Sequence, residues 1–272
     1  MQKRSNQLRS QGKTISLVPT MGYLHEGHLS LMRLAKGRAD TLVVSIFVNP
    51  TQFGPNEDIA VYPRNLEHDK SLCRKEGVDV LFFPDSEDMY GPRYQTFVTL
   101  EKLPLYLCGI SRPVHFRGVA TVVIKLFNIV KPHVAVFGQK DYQQVMVIRQ
   151  MVQDLDMDIQ ILGAPIIRES DGLAMSSRNA YLLPEQRLSA LSLHQALCQT
   201  QQLLKTGMVD TRLLIDAAST HILSFSGTAI DYISICDPDT LEPVQRIDSP
   251  ALMALAVHIG KTRLIDNTLL QP

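Results

Sequence analysis

Residues 1–167 predict an α/β domain, a parallel sheet with helices on both faces, and residues 168–272 predict a smaller C-terminal α+β domain. Two observations carry this expectation. Before Pro165, short β-branched runs alternate with helix-length segments, and the runs are apolar at successive positions, as strands covered on both faces require. After Pro165 the order changes to two helices followed by three strands.

Residues 14–18 (TISLV) read as a buried strand, broken by Pro19 and Gly22. Residues 28–38 carry Leu29, Leu31, Met32, Leu34 and Ala35 in a helical pattern. Residues 41–48 (TLVVSIFV) form the next strand, closed by Asn49 and Pro50. A helix over 66–76, Gly77 and a strand over 78–83 follow, then a helix over 118–130 stopped by Pro132. A strand at 134–137, an amphipathic helix at 141–155 and a strand at 159–164 complete the first domain. In the second, helices are expected at 184–205, with Pro184 in the first turn, and at 210–225. Strands follow at 229–236, 251–259 and 263–267. Right-handed crossovers put the loops after the parallel strands on one edge, where ligands of Rossmann-like sheets bind.

Composition narrows the function. The 272 residues have 45% hydrophobic and 20% charged side chains and a formal net charge of zero. That leaves no electrostatic footprint for nucleic acid or an anionic membrane. Cys73, Cys108, Cys198 and Cys236 form no CxxC pair, which argues against a zinc knuckle and a disulfide framework. No run approaches a membrane span, and the polar start lacks a signal-peptide core, so a cytoplasmic location is expected.

The chemistry concentrates in four loops. Met21, Gly22, Tyr23, Leu24, His25, Glu26, Gly27 and His28 leave the first strand and enter the first helix. His28 is expected at the helix start, where backbone N–H groups and the dipole favour anions, with His25 across the turn. Two imidazoles there suit a phosphate chain better than zinc, because the HExxH spacing is absent. The second loop, after the 41–48 strand, offers the amide of Gln52. The third is Gly138, Gln139, Lys140, Asp141, Tyr142, Gln143 and Gln144, with Asp141 as an expected helix cap. The fourth, Met175, Ser176, Ser177 and Arg178, has the makings of an anion clamp. Gly12-Lys13-Thr14 and Gly260-Lys261-Thr262 imitate a P-loop end, but Gln7 and Leu255 stand where a Walker glycine is needed. No GxGxxG follows the first strand, which disfavours a dinucleotide cofactor.

The stretches VPTMGYLHEGHLSL, VVSIFVNPTQFGPNEDIAVYPRNLEHD, RPVHFRGVATVVIKLFNIVKPHVAVFGQKDYQQ and AMSSRNAYL, in that order, closely resemble the pantothenate synthetase (pantoate–β-alanine ligase) family of the HxGH nucleotidyltransferase superfamily. The resemblance implies condensation of (R)-pantoate with β-alanine through a pantoyl adenylate, with ATP as co-substrate, Mg²⁺, and release of AMP and pyrophosphate. It implies ATP contacts at 21–28, 138–141, Ile167 and 175–178, the last as a KMSKS-like loop. His28, His25, Lys140 and Arg178 would stabilise charge on the phosphates. Gln52 would hold pantoate and β-alanine, Gln144 pantoate, and Asp69 Mg²⁺. The resemblance also implies a homodimer, a flap over residues 53–63, and a C-terminal domain that closes over ATP. A pantetheine-phosphate adenylyltransferase would leave the last hundred or so residues unexplained, and an aminoacyl-tRNA synthetase would need a basic surface. A non-catalytic relative would have lost the polar loop residues.

Overall fold

Strands β1 (Ile15–Thr20) and β2 (Thr41–Ile46) are buried along nearly their whole length, which accounts for their unbroken apolar character. They pair in parallel, from Ile15 beside Thr41 to Thr20 beside Ile46. β3 (Val80–Phe82) lies outside β2, while β4 (Val134–Gly138) flanks β1 on its other side and β5 (Gln160–Ala164) flanks β4. The order β3-β2-β1-β4-β5 is parallel throughout. Strand order reverses between β1 and β4, the switch point at which loops at the strand C-termini part to leave a crevice. The structure, a computed structural model, describes residues 1–55 and 57–272. Position 56 of the expected 53–63 flap lies outside the described residues.

Helices α1 (Gln2–Ser10), α2 (Glu26–Lys36), α3 (Leu66–Lys75), α4 (Ser86–Met89), α5 (Cys108–Ser111), α6 (His115–Val130) and α7 (Tyr142–Asp154) connect the strands. Because successive strand residues point to opposite faces, Leu17 and Val18 serve different cores. Ile15, Leu17 and Val43 join Val119, Val123 and Phe127 of α6 and Ile148 and Met151 of α7. Val18, Leu42 and Val44 join Leu29, Met32 and Ala35 of α2 and Cys73 of α3. The helices on both faces follow from this split.

Several elements differ from expectation. α1 is absent from the sequence reading because its residues are polar. Only Ser5 and Leu8 are buried, and Ser5 Oγ and Arg9 Nη1 donate to the carbonyls of Ile129 and Lys131 at the end of α6. α2 begins at Glu26 and not His28, α6 at His115 and not Gly118, and α8 (Arg187–Lys205) after a 3-10 turn, Pro184–Gln186.

The chain divides into two units. One comprises Met1–Pro104, Arg112–Gln139 and Gln144–Ile166 and contains the parallel sheet. The other comprises Ile167–Pro272 with two stretches from earlier in the chain, Leu105–Ser111 and Lys140–Gln143. In the second unit α8 and α9 (Thr211–Leu223) cover an antiparallel sheet ordered β6 (Thr228–Cys236), β7 (Ala251–Ile259), β8 (Thr262–Leu270). Alternate β7 residues Met253, Leu255, Val257 and Ile259 share a core with Leu193, Leu197, Leu214 and Ile222 of the helices. Gly260, at φ +57°, turns β7 into β8, so the second P-loop imitation is a hairpin turn. The first, at Gly12, sits at φ +72° just beyond α1.

Candidate active site

The loop leaving β1 is shaped by backbone geometry that few side chains tolerate. Gly22 (φ +82°) and Tyr23 (φ +52°) both lie in the left-handed region, which reverses the chain before α2. A Cβ on Gly22 would stand 3.0 Å from Asp69 Oδ2 and 3.0 Å from Ile46 Cγ2, so glycine is needed for space as well as angle. His25 is the N-cap of α2 in extended conformation. His28, three residues in, donates its backbone N–H to the His25 carbonyl at 2.8 Å, while the His25 N–H donates to His28 Nδ1 at 3.3 Å. The rings lie 4.1 Å apart between centroids, tilted by 42°. The two imidazoles form one unit at the positive end of a helix that starts at the switch point. The Glu26 carboxylate turns to Arg33, seven residues along the chain.

Gln52 ends a 3-10 turn, Pro50–Gln52, after β2. It is buried at 7% exposure, far from the solvated glutamine of an ordinary loop. Its Oε1 accepts from Asn49 Nδ2 at 3.1 Å and its Nε2 faces Met21 Sδ at 3.0 Å. Asn49 is itself fixed: Nδ2 donates to the Gly118 carbonyl at 3.1 Å, and Oδ1 accepts from Tyr90 OH at 2.8 Å. Burial pushes the Tyr90 phenol up to about 12, so it stays a donor. The Gln52 carbonyl faces His115 Nδ1 at 3.0 Å. A carbonyl only accepts, so Nδ1 carries the proton, and Nε2 is left to accept from Arg112 Nη1 at 3.4 Å. Arg112 also pairs with Glu57, and Phe53 meets Tyr62 edge-on at 6.1 Å. The 53–63 segment is therefore packed at both ends, with Phe53 and Tyr62 each 8% exposed.

After β4, Gly138 pairs with Ala164, lies outside the left-handed region, and has open space where a Cβ would stand. Steric need does not explain this glycine. A 3-10 turn, Gln139–Asp141, precedes α7, and Asp141 is exposed. The adjacent glutamines differ sharply. Gln143 is buried, its Oε1 accepting from Cys108 N–H at 2.9 Å and its Nε2 donating to the Tyr106 carbonyl at 2.7 Å. The side chain of Gln144, partly exposed, makes no hydrogen bond with another described residue.

In the second unit β8 organises the remaining candidates. Asn267 Nδ2 donates to the Lys140 carbonyl at 2.9 Å. Its neighbour Asp266, 3% exposed, takes both Nη atoms of Arg168 at 2.6 and 3.0 Å. Arg168 bridges to Ala174, and Met175 N–H donates to the Ile167 carbonyl at 2.9 Å, so Ile167 and Met175 stand side by side. Ser176 then caps the turn Ser177–Tyr181 by accepting from Arg178 N–H at 3.2 Å. Asn179 ties this turn to Glu169 at 2.7 Å, and Arg187 holds Glu169 and Asp171 from α8. Among the described residues no carboxylate pairs with the Lys140 ammonium.

A family model described as Pantoate-beta-alanine ligase matches residues 1–269. The chain belongs to the pantoate–β-alanine ligase family. A pantothenate synthetase of Desulfatibacillum aliphaticivorans is 60% identical over 100% of this chain and 97% of its own length. One from Thermotoga neapolitana is 56% identical, over 99% and 96%. The crystal structure of pantothenate synthetase from Thermus thermophilus superposes with a TM-score of 0.94 at 42% identity, covering 98% of both chains. That of pantoate-beta-alanine ligase from Francisella tularensis, complexed with beta-gamma ATP and beta-alanine, gives 0.78 at 36%, over 98% and 95%. The activity of this ligase is therefore the joining of pantoate to β-alanine. Among the described residues no helix is long and apolar enough to cross a membrane.

For this ligase the sequence reading overlooked the residues that seat Gln52. His115 and Gly118 stand three residues apart, a signal of one helix face, with Arg112 just before the helix, but nothing in the sequence says what that face meets. Asp69, expected at Mg²⁺, is 1% exposed and accepts the N–H groups of Tyr23 at 2.9 Å and Leu24 at 2.7 Å. No group of three or more His, Cys, Asp or Glu among the described residues could hold a metal ion. The described residues therefore offer no all-protein cage for Mg²⁺ around Asp69.

Proposed function

We propose that the ligase works through pantoyl adenylate. A carboxylate oxygen of (R)-pantoate attacks the α-phosphorus of ATP, and the bond to the bridging oxygen breaks to release pyrophosphate. The amine of β-alanine then attacks the acyl carbon, forming the C–N bond as the acyl–phosphate bond breaks and AMP leaves. The observation that carries this reading is the His25–His28 pair at the N-terminus of α2, beside the switch between β1 and β4. Charge developing on the phosphate oxygens needs donors already in place, and two imidazoles with helix N–H groups supply them. The Francisella ligase complex with an ATP derivative and β-alanine supports ATP as co-substrate.

To ATP we assign residues 21–28, Gly138, Gln139, Lys140, Asp141, Ile167 and residues 175–178. Lys140 and Arg178 supply positive charge to the phosphates. Gln52 and Gln144 take pantoate through their amides, Gln52 also meeting β-alanine. Mg²⁺ would be carried by the triphosphate, as that ion prefers phosphate and water oxygens. A cytoplasmic homodimer is the assembly this reading carries, and sedimentation of the purified chain tests its stoichiometry. Small molecules, and no nucleic acid, are its partners.

The decisive experiment is exchange of labelled pyrophosphate into ATP in the presence of Mg²⁺ and pantoate without β-alanine. Exchange that needs pantoate, with AMP formed once β-alanine is added, is the expected result. Formation of ADP, or no exchange while pantothenate is being made, would replace the adenylate with another activated acid.

A further inference from the structure

We propose that Asp69 is a positioning residue: it holds the β1–α2 loop in the shape that brings His25 and His28 together, and it is not a metal ligand. This rests on the proposed role of those imidazoles at ATP.

The carboxylate comes from the first turn of α3, more than forty residues after the loop, and reaches its inner side. Its two oxygens divide the work. Oδ2 accepts the N–H of Tyr23, the non-glycine residue at φ +52°, and Oδ1 accepts the N–H of Leu24, 4% exposed and next to the N-cap His25. These amides point inward at a bend, where neither strand nor helix supplies an acceptor. A left-handed Tyr23 is disfavoured for an L residue and persists only where its surroundings hold it. Gly22 completes the fit, since a Cβ there would come within 3.0 Å of Oδ2. The histidines follow directly, so the rotation at Tyr23 and Leu24 sets where the imidazoles begin. A metal ligand needs an oxygen lone pair aimed at an ion and further oxygen ligands around it. Here both oxygens already face backbone N–H groups, and the preceding residue, His68, is exposed and brings no second carboxylate.

Asp69→Asn tests this with little change in size. It keeps one acceptor but turns an NH₂ toward an amide that is itself a donor. Three quantities are read: steady-state constants, the Mg²⁺ concentration for half-maximal pyrophosphate exchange, and the Cε1–H NMR signals of His25 and His28 in the free protein. We expect kcat to fall at least tenfold, the half-maximal Mg²⁺ to stay within twofold, KM for pantoate to hold, and both imidazole signals to move. Gly22→Ala, which crowds Oδ2 and leaves the carboxylate intact, should move the same signals. A tenfold rise in the Mg²⁺ requirement of Asp69→Asn would make Asp69 a metal contact and overturn the proposal. Unmoved imidazole signals in both variants would overturn it too. The NMR signals are read without substrate, so they report on the loop even if the adenylate route itself proves wrong.

Discussion

Gly118 of α6 lies against the backbone of Gln52: a Cβ on Gly118 would stand 2.5 Å from both Gln52 N and Cα and 2.3 Å from the Thr51 carbonyl oxygen. No side chain fits that gap, so the helix and the turn carrying the glutamine approach each other only through this glycine. Gly118→Ala is expected to displace the turn. Overpacking of this kind costs about 1–3 kcal/mol, and the shift should raise KM for pantoate about tenfold. Urea unfolding measures the first effect and steady-state kinetics the second. An unchanged KM would show that Gln52 does not depend on this contact.

The neighbouring glutamines of α7 give opposite expectations. Gln143→Ala strips the Cys108 N–H and the Tyr106 carbonyl of their partner, costing about 1–3 kcal/mol of stability with KM for pantoate preserved. Gln144→Ala breaks no internal hydrogen bond, so its thermal midpoint should stay put while KM for pantoate rises. Identical kinetics in the two variants would remove Gln144 from the substrate.

His28→Ala removes one ring of the pair and the acceptor of the His25 N–H. Loss of a preorganised donor to developing charge lowers turnover by roughly a hundredfold or more. Pyrophosphate exchange should fall by that factor, with the circular dichroism spectrum unchanged. Wild-type exchange would take His28 out of the chemistry.

Glu57 links pH to the Gln52 seat. Burial alone would raise its carboxyl, but the hydrogen bond and charge of Arg112 outweigh this and hold it below its ordinary 4.5. A lowered folded value means the pair stabilises the fold above the unfolded value, and that stabilisation disappears as pH falls through the folded one. Glu57→Gln should therefore be less stable than the parent at pH 7 and nearly equal to it once the pH has fallen below the folded value, as followed by thermal melts. A gap that persists in acid would show that packing, not charge, is what the substitution removes.

The buried strands and the loops after them were legible because each depends on residues near in sequence. An unbroken apolar run such as TLVVSI needs cover on both faces wherever it lies, and two histidines around a glycine at a strand–helix junction mark a site for anions. The start of α2 was misplaced by two residues because His25 takes the cap position that sequence propensity reserves for Ser, Thr, Asp or Asn. α1 went unseen because a helix with two buried residues has almost no amphipathic signal.

By itself, then, the amino-acid order determined the parallel α/β class, every strand of the described residues, the chemistry-bearing loops and the family. Only the folded chain decided that β4 lies beside β1, that Asp69 supports the histidine loop, and that Arg112, His115 and Gly118 form the seat of Gln52. The division has a physical cause. Periodicity and turn chemistry act over a few residues, whereas these contacts join segments tens of residues apart, and their partners are backbone groups that every residue carries and no sequence pattern marks.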